Sequence, residues 1–180
     1  AFYFYLRGGG YFRRRTKVYF EAARTMFSKA IEIDPEFAPA YAGLADCYTE
    51  FWRNYESVDE NLEKADEASL RAVELDLNLA EGHAARGYAL GQMQRFEEAE
   101  QEFQLAINLD PKLFEAYYYS GTVAFAKGEL GKASEMFEMA NQVSPDDERA
   151  LRILPTVYRS LGREEDEQSA NRRRLVLAEK

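Results

Sequence analysis

One histidine, His83, and one cysteine, Cys47, are the only residues of their kinds in the 180-residue sequence. Either side chain can act as a metal ligand, and His83 could also serve as a base. A zinc site, however, takes three or four ligands from Cys, His and carboxylates, and one of each falls short. Cys47 sits among Leu44, Ala45 and Tyr48, so it reads as a buried, inert thiol. No phosphate loop, dinucleotide fingerprint or EF-hand spacing occurs. The Gly8-Gly9-Gly10 run has no strand before it, and acidic runs such as Glu97-Glu98-Ala99-Glu100 read as solvated helix faces. The expectation is therefore no catalytic residue, no metal and no cofactor.

Bulk composition narrows the partner. Acids outnumber bases 32 to 23, a net charge of −9, which argues against nucleic acid, whose phosphates need a concentrated basic face. Arg13-Arg14-Arg15 and Arg172-Arg173-Arg174 read as solvated helix ends. The sequence has no apolar run of 18 residues to span a membrane and no leader-like start. A lone cysteine forms no internal disulfide and fits a reducing compartment such as the cytoplasm. An apolar content of 46% is enough for a core.

The elements that would hold any site come from a repeat. Ala99, Phe103, Ala106 and Pro111 recur as Ala133, Phe137, Ala140 and Pro145, a step of 34 each time. Ala23, Phe27, Ala30 and Pro35 form an earlier copy, and Ala65, Ser69, Ala72 and Leu77 a weaker one. A period of this length argues for stacked helix pairs. Small residues let paired helices approach, Phe fills between units, and the Asp-Pro pairs at 34–35 and 110–111 end the second helix. The eight extra residues near Phe51–Asn61 predict a loop around Trp52–Glu56 and a longer second helix. Ser57-Val58-Asp59-Glu60 has the form of a capping box for it. Pro155 falls within a helix, where a kink is expected.

The first helices carry a second pattern. Tyr117, Ser120, Gly121 and Ala124 approximate W-x2-L-G-x2-Y, as do His83, Arg86, Gly87 and Leu90. Tyr41, Leu44, Ala45 and Tyr48 fill the same places, and so do Phe4, Arg7, Gly8 and Tyr11. In these positions and this period the chain resembles the tetratricopeptide repeat (TPR) family. The resemblance implies an all-α, right-handed superhelical solenoid of antiparallel helix pairs. It divides residues 1–180 into one array with repeats at about 1–37, 38–79, 80–113, 114–147 and 148–180. It also makes His83 a packing residue. The segments YLRG, PAYAGLADCY and LAEGHAARG further resemble TPR arrays of bacterial multidomain regulators.

What the resemblance implies for function is binding. In this family the first-helix positions not used for packing line a concave groove that takes a peptide or partner helix. Here those positions give Asp46, Tyr88, Gln92, Tyr118, Thr122, Phe125, Arg149, Arg152 and Arg159. Tyr88, Tyr118 and Phe125 are expected as exposed aromatic anchors, and the three arginines as receivers of an acidic group. The Lys/Asn clamp that some members use for chaperone tails is absent, since Tyr5, Gly9, Gly43, Glu81 and Ala85 stand in its places. The expected role is a non-catalytic scaffold for a protein or peptide. The alternative is self-association, or regulation within a larger protein, through the uncapped Leu175-Val176-Leu177 edge.

Overall fold

The computed structural model describes residues 1–178, which form α-helices and no strand. Two compact units divide the chain, Ala1–Leu109 and Asp110–Lys180. The first holds α1 (Phe2–Phe12), α2 (Lys17–Ile33), α3 (Ala38–Asn54), α4 (Asp59–Leu75), α5 (Ala80–Gln92) and α6 (Phe96–Leu109). The second holds α7 (Phe114–Lys127), α8 (Leu130–Val143), α9 (Glu148–Ser160) and α10 (Glu164–Ala178). The fold is an all-α helical repeat. Among the described residues no helix is long and apolar enough to cross a membrane.

Three of the four turns between pairs are set by an aspartate. The carboxylates of Asp34, Asp76 and Asp110 accept from the backbone N–H two residues on, at 3.1, 2.9 and 2.9 Å. This competes with helix continuation and stops the preceding helix. The next first helix then reaches back six residues. Tyr41 Oη donates to the Pro35 carbonyl at 3.2 Å, and Tyr117 Oη to that of Pro111 at 3.1 Å. His83 does the same with Nε2 on the Leu77 carbonyl at 3.0 Å.

The paired alanines of α2, α4, α6 and α8, from Ala23 and Ala30 to Ala133 and Ala140, are fully buried. Against them lies a ring-on-glycine lock. A Cβ on Gly87 would stand 2.8 Å from Phe103, and one on Gly121 2.9 Å from Phe137. Phe27 is held on two sides, with the Cβ positions of Gly8 and Gly43 at 2.6 and 2.5 Å from its ring. Each of these rings is 2% exposed or less, a burial worth about 1.5–3 kcal/mol.

The second repeat solves the same problem differently. Ala45 and Ser69 stand in place of the glycine and the phenylalanine. The space at Ser69 admits the Arg86 guanidinium from α5, which donates to Ser69 Oγ at 3.3 Å, to the Asp66 carbonyl at 3.1 Å, and to the Asp66 carboxylate. A buried guanidinium is tolerable only when so paired.

Two local expectations are revised. α3 runs on to Asn54, so the loop is shorter than Trp52–Glu56, and the extra residues lengthen α3 and α4 to 17 each. The capping box does not form, because Ser57 Oγ donates back to the Trp52 carbonyl at 2.9 Å and Val58 is the N-cap. α9 continues through Pro155, with Leu151, Leu154, Val157 and Tyr158 buried on both sides of it. Glu138 of α8 ties the later helices down. It accepts from Tyr158 Oη at 2.6 Å and from both Arg173 terminal nitrogens at 2.9 and 2.6 Å. Burial pushes this carboxyl up, but the Arg173 and Tyr158 hydrogen bonds outweigh it and hold Glu138 below the ordinary range.

Candidate functional site

In the first unit, the expected groove residues separate by burial. Asp46 and Gln92 are half-buried. Tyr88 is 0% exposed and is no surface anchor. Its hydroxyl donates to Glu50 Oε1 at 3.2 Å and accepts from Arg53 Nη1 at 3.2 Å. Glu50, itself fully buried, also accepts from Arg15 at 2.8 Å and from Asn54 at 2.6 Å. A tyrosine long enough to reach an acid on α3 ties α5 into this network. Arg15 is thereby drawn inward, so only part of the Arg13–Arg15 run is a solvated helix end.

His83 is a packing residue that also carries charge. Its Nδ1 lies 2.6 Å from Glu102 Oε2 on α6, while Nε2 faces the Leu77 carbonyl. Two acceptors need two N–H groups, so the geometry favours the imidazolium. The Glu102 hydrogen bond raises its pKa above the ordinary value against the opposing effect of burial. Cys47 is buried, and desolvation pushes its thiol well up. Among the described residues no group of three His, Cys, Asp or Glu side chains could hold a metal.

One cleft of about 380 Å³ lies between α3 and α4, lined by Tyr41, Leu44, Tyr48, Lys64, Glu67, Ala68 and Arg71. Sequence reasoning missed it. The signal was Ala68, which stands where the first, third and fourth repeats carry Met26, Glu102 and Met136.

In the second unit, Tyr118 is 5% exposed and Thr122 4%, so neither offers a surface. Tyr118 stacks on Phe114 with ring centroids 5.4 Å apart, and Thr122 Oγ1 donates to the Tyr118 carbonyl at 2.9 Å. Arg149 is engaged. Its guanidinium lies 4.2 Å from the Phe114 centroid, and Nη2 donates to Glu115 at 2.9 Å and Asp147 at 2.7 Å. Arg159 pairs with Glu167 at 2.5 Å and Arg152 with Glu148 at 3.6 Å, both arginines staying exposed. Phe125 is 37% exposed. It alone of the three aromatics remains at the surface.

Residues 80–113 match the tetratricopeptide repeat family model. Human tetratricopeptide repeat protein 6 is 29% identical over 125 residues, 69% of this chain, and the match spans 23% of that protein's length. The crystal structure of MamA superposes with a TM-score of 0.64 at 25% identity, covering 93% of each chain. A thermophilic TPR protein in Thermus thermophilus gives 0.72 at 21% identity, covering 90% of this chain and 84% of its own. The 34-residue step and its glycine–phenylalanine lock agree with these matches: residues 80–113 match a tetratricopeptide repeat, and the chain is similar to proteins of that family.

Proposed function

We propose that the chain is a non-catalytic interaction scaffold whose first-helix faces bind a peptide or partner segment in a concave groove. The observation that carries this is Phe125. On α7 the neighbouring aromatics Tyr117, Tyr118 and Tyr119 are all buried, whereas Phe125 is left 37% exposed. Exposed aromatic area of this kind is a contact resource rather than a packing one. Arg152 and Arg159 add exposed cations to the same unit, and within the first unit taken by itself the first-helix positions offered are Asp46 and Gln92. The cleft over Ala68 supports the same reading, with room for one apolar side chain of a partner.

A displayed random-peptide library selected on this chain tests it. Selected peptides should lose at least about tenfold in affinity to Phe125→Ala/Arg152→Glu, the loss of one central anchor and one charge. Peptides that bind both proteins equally would sink the groove assignment.

A second reading, self-association or docking within a larger protein, is favoured by Leu175 and Val176, each 60% exposed on α10. Sedimentation equilibrium of wild type against Leu175→Glu/Val176→Glu decides it. A monomer across all concentrations in both proteins removes self-association.

A further inference from the structure

Charge in this acidic chain is segregated. Residues 1–31 hold seven basic side chains and one acid, Glu21, whereas the whole sequence has 32 acids to 23 bases. Two of those cations are neutralised, Arg15 by Glu50 and Lys17 by Glu56, both at 2.8 Å. Arg7, Arg13 and Arg14 are exposed and have no carboxylate partner among the described residues. By contrast Arg71, Arg86, Arg95, Arg149, Arg152 and Arg159 each hold one.

Two of these guanidiniums, Arg7 and Arg14, are held in place by tyrosines. Arg7 donates to Tyr3 Oη at 3.3 Å and to Tyr11 Oη at 2.9 Å, and its guanidinium lies 5.7 Å from each ring centroid. Tyr11 stacks on Tyr19 of α2 with centroids 6.0 Å apart. Arg14 donates to Tyr19 Oη at 2.7 Å and lies 4.8 Å from that ring. Tyr3, Arg7 and Tyr11 are spaced by four residues and so share one helix face. The result is a stripe of cations fixed in position before anything binds, which removes part of the ordering cost of association.

We infer that the Tyr3–Arg7–Tyr11–Arg14–Tyr19 stripe docks an acidic segment of a protein partner. Arginine forks match carboxylates in two-point hydrogen bonds, and tyrosines bury area beside them at low entropy cost. Along α1 the stripe runs about 12 Å from Tyr3 to Tyr11, at 1.5 Å per residue. About four residues of extended chain cover that length. A nucleic-acid strand would need the basic track to continue, but next in line Lys17 is already paired and the sequence beyond residue 31 turns acidic. Carboxylates elsewhere in the chain are screened beyond about 10 Å at 0.1 M salt. This stripe belongs to the first unit and the Phe125 face to the second, and the two proposals stand or fall independently.

The test is fluorescence anisotropy of a labelled hexaglutamate peptide, with hexaglutamine and a decathymidylate oligonucleotide as comparisons. At 50 mM NaCl hexaglutamate should bind and hexaglutamine should not, and affinity should fall about tenfold or more by 300 mM. Arg7→Glu/Arg14→Glu should lose binding by at least about tenfold. Arg7→Lys/Arg14→Lys, which keeps the charge without the fork, should fall between. Lys112→Glu, at an exposed cation outside both sites, should leave affinity unchanged, and circular dichroism should show every variant helical. Hexaglutamate binding no better than hexaglutamine, or a charge reversal without effect, overturns the proposal. Tighter binding of decathymidylate through the same arginines overturns the assignment to a protein segment.

Discussion

Gly87 and Phe103 are packed so closely that the ring occupies the place of a Cβ. An added methyl would stand 2.8 Å from two ring carbons and 3.0 Å from the Ala99 carbonyl oxygen. Neither neighbour yields easily, since the ring is buried and the carbonyl belongs to α6. Gly87→Ala should gain about 1 kcal/mol of helix propensity and lose about 1–3 kcal/mol to overpacking, for a net destabilisation in urea denaturation. Gly10→Ala is the control. It lies in α1 with nothing within 4 Å of its Cβ position, so it should be neutral or stabilising by up to about 1 kcal/mol. Equal effects at the two positions would refute the lock.

His83 gives the stability a pH dependence whose sign is fixed by its partners. Its pKa is raised in the folded chain, mainly by Glu102, so protonation favours folding. The stabilisation is complete below the unfolded value of about 6.5 and is lost as pH rises through the higher folded value. His83→Tyr places there the residue that Tyr41 and Tyr117 use for the same carbonyl bond. The difference in denaturation midpoint between wild type and this variant should move against wild type from pH 5.5 to pH 9. A constant difference would show that the imidazolium is not formed.

Glu50 should be among the costliest single losses. Glu50→Ala removes the acceptor to which Arg15, Asn54 and the Tyr88 hydroxyl donate, and breaking a buried charge pair costs about 3–5 kcal/mol. Tyr88→Phe removes one neutral donor and should cost about 1 kcal/mol. Binding of library-selected peptides should be unaffected by Tyr88→Phe, since its ring is covered. Chemical denaturation and anisotropy read the two effects separately.

Filling the cleft distinguishes it from the Phe125 face. Ala68→Met copies Met26 and Met136 and should be neutral to stabilising by about 0.5–2 kcal/mol, as cavity-filling changes commonly are. Peptides seated over Tyr41 and Tyr48 should lose binding, while those that depend on Phe125 should not. A loss in both sets would remove the distinction.

Helix pairing was legible because its determinants recur in register. Ala99/Ala133 and Phe103/Phe137 each repeat at 34 residues, and spacing alone announces them. Groove exposure was not legible in the same way. Tyr88 and Phe125 both occupy stripe positions, yet one is covered and one is not. What covers Tyr88 is a partner in the preceding repeat: Glu50 lies 38 residues before it and receives its hydroxyl. A periodic reading compares equivalent positions and overlooks such offset pairs. Arg149 misled for a similar reason, since its partner Glu115 is one repeat back. The paired acid at Glu102 was likewise hidden, because His83 resembled the tyrosine it replaces.

The Arg86–Ser69 contact leaves the first unit with one joint unlike its neighbours. Stacked repeats share strength only with the repeat beside them, so opening begins at the weakest junction rather than throughout. Where Phe27 at the α2–α3 joint would expose an apolar ring on separation, the α4–α5 joint exposes a guanidinium that water solvates readily. Amide hydrogen exchange should therefore divide the first unit at this seam, with α1–α4 and α5–α6 exchanging as distinct blocks. A stack built with one wettable joint has a designated place to yield.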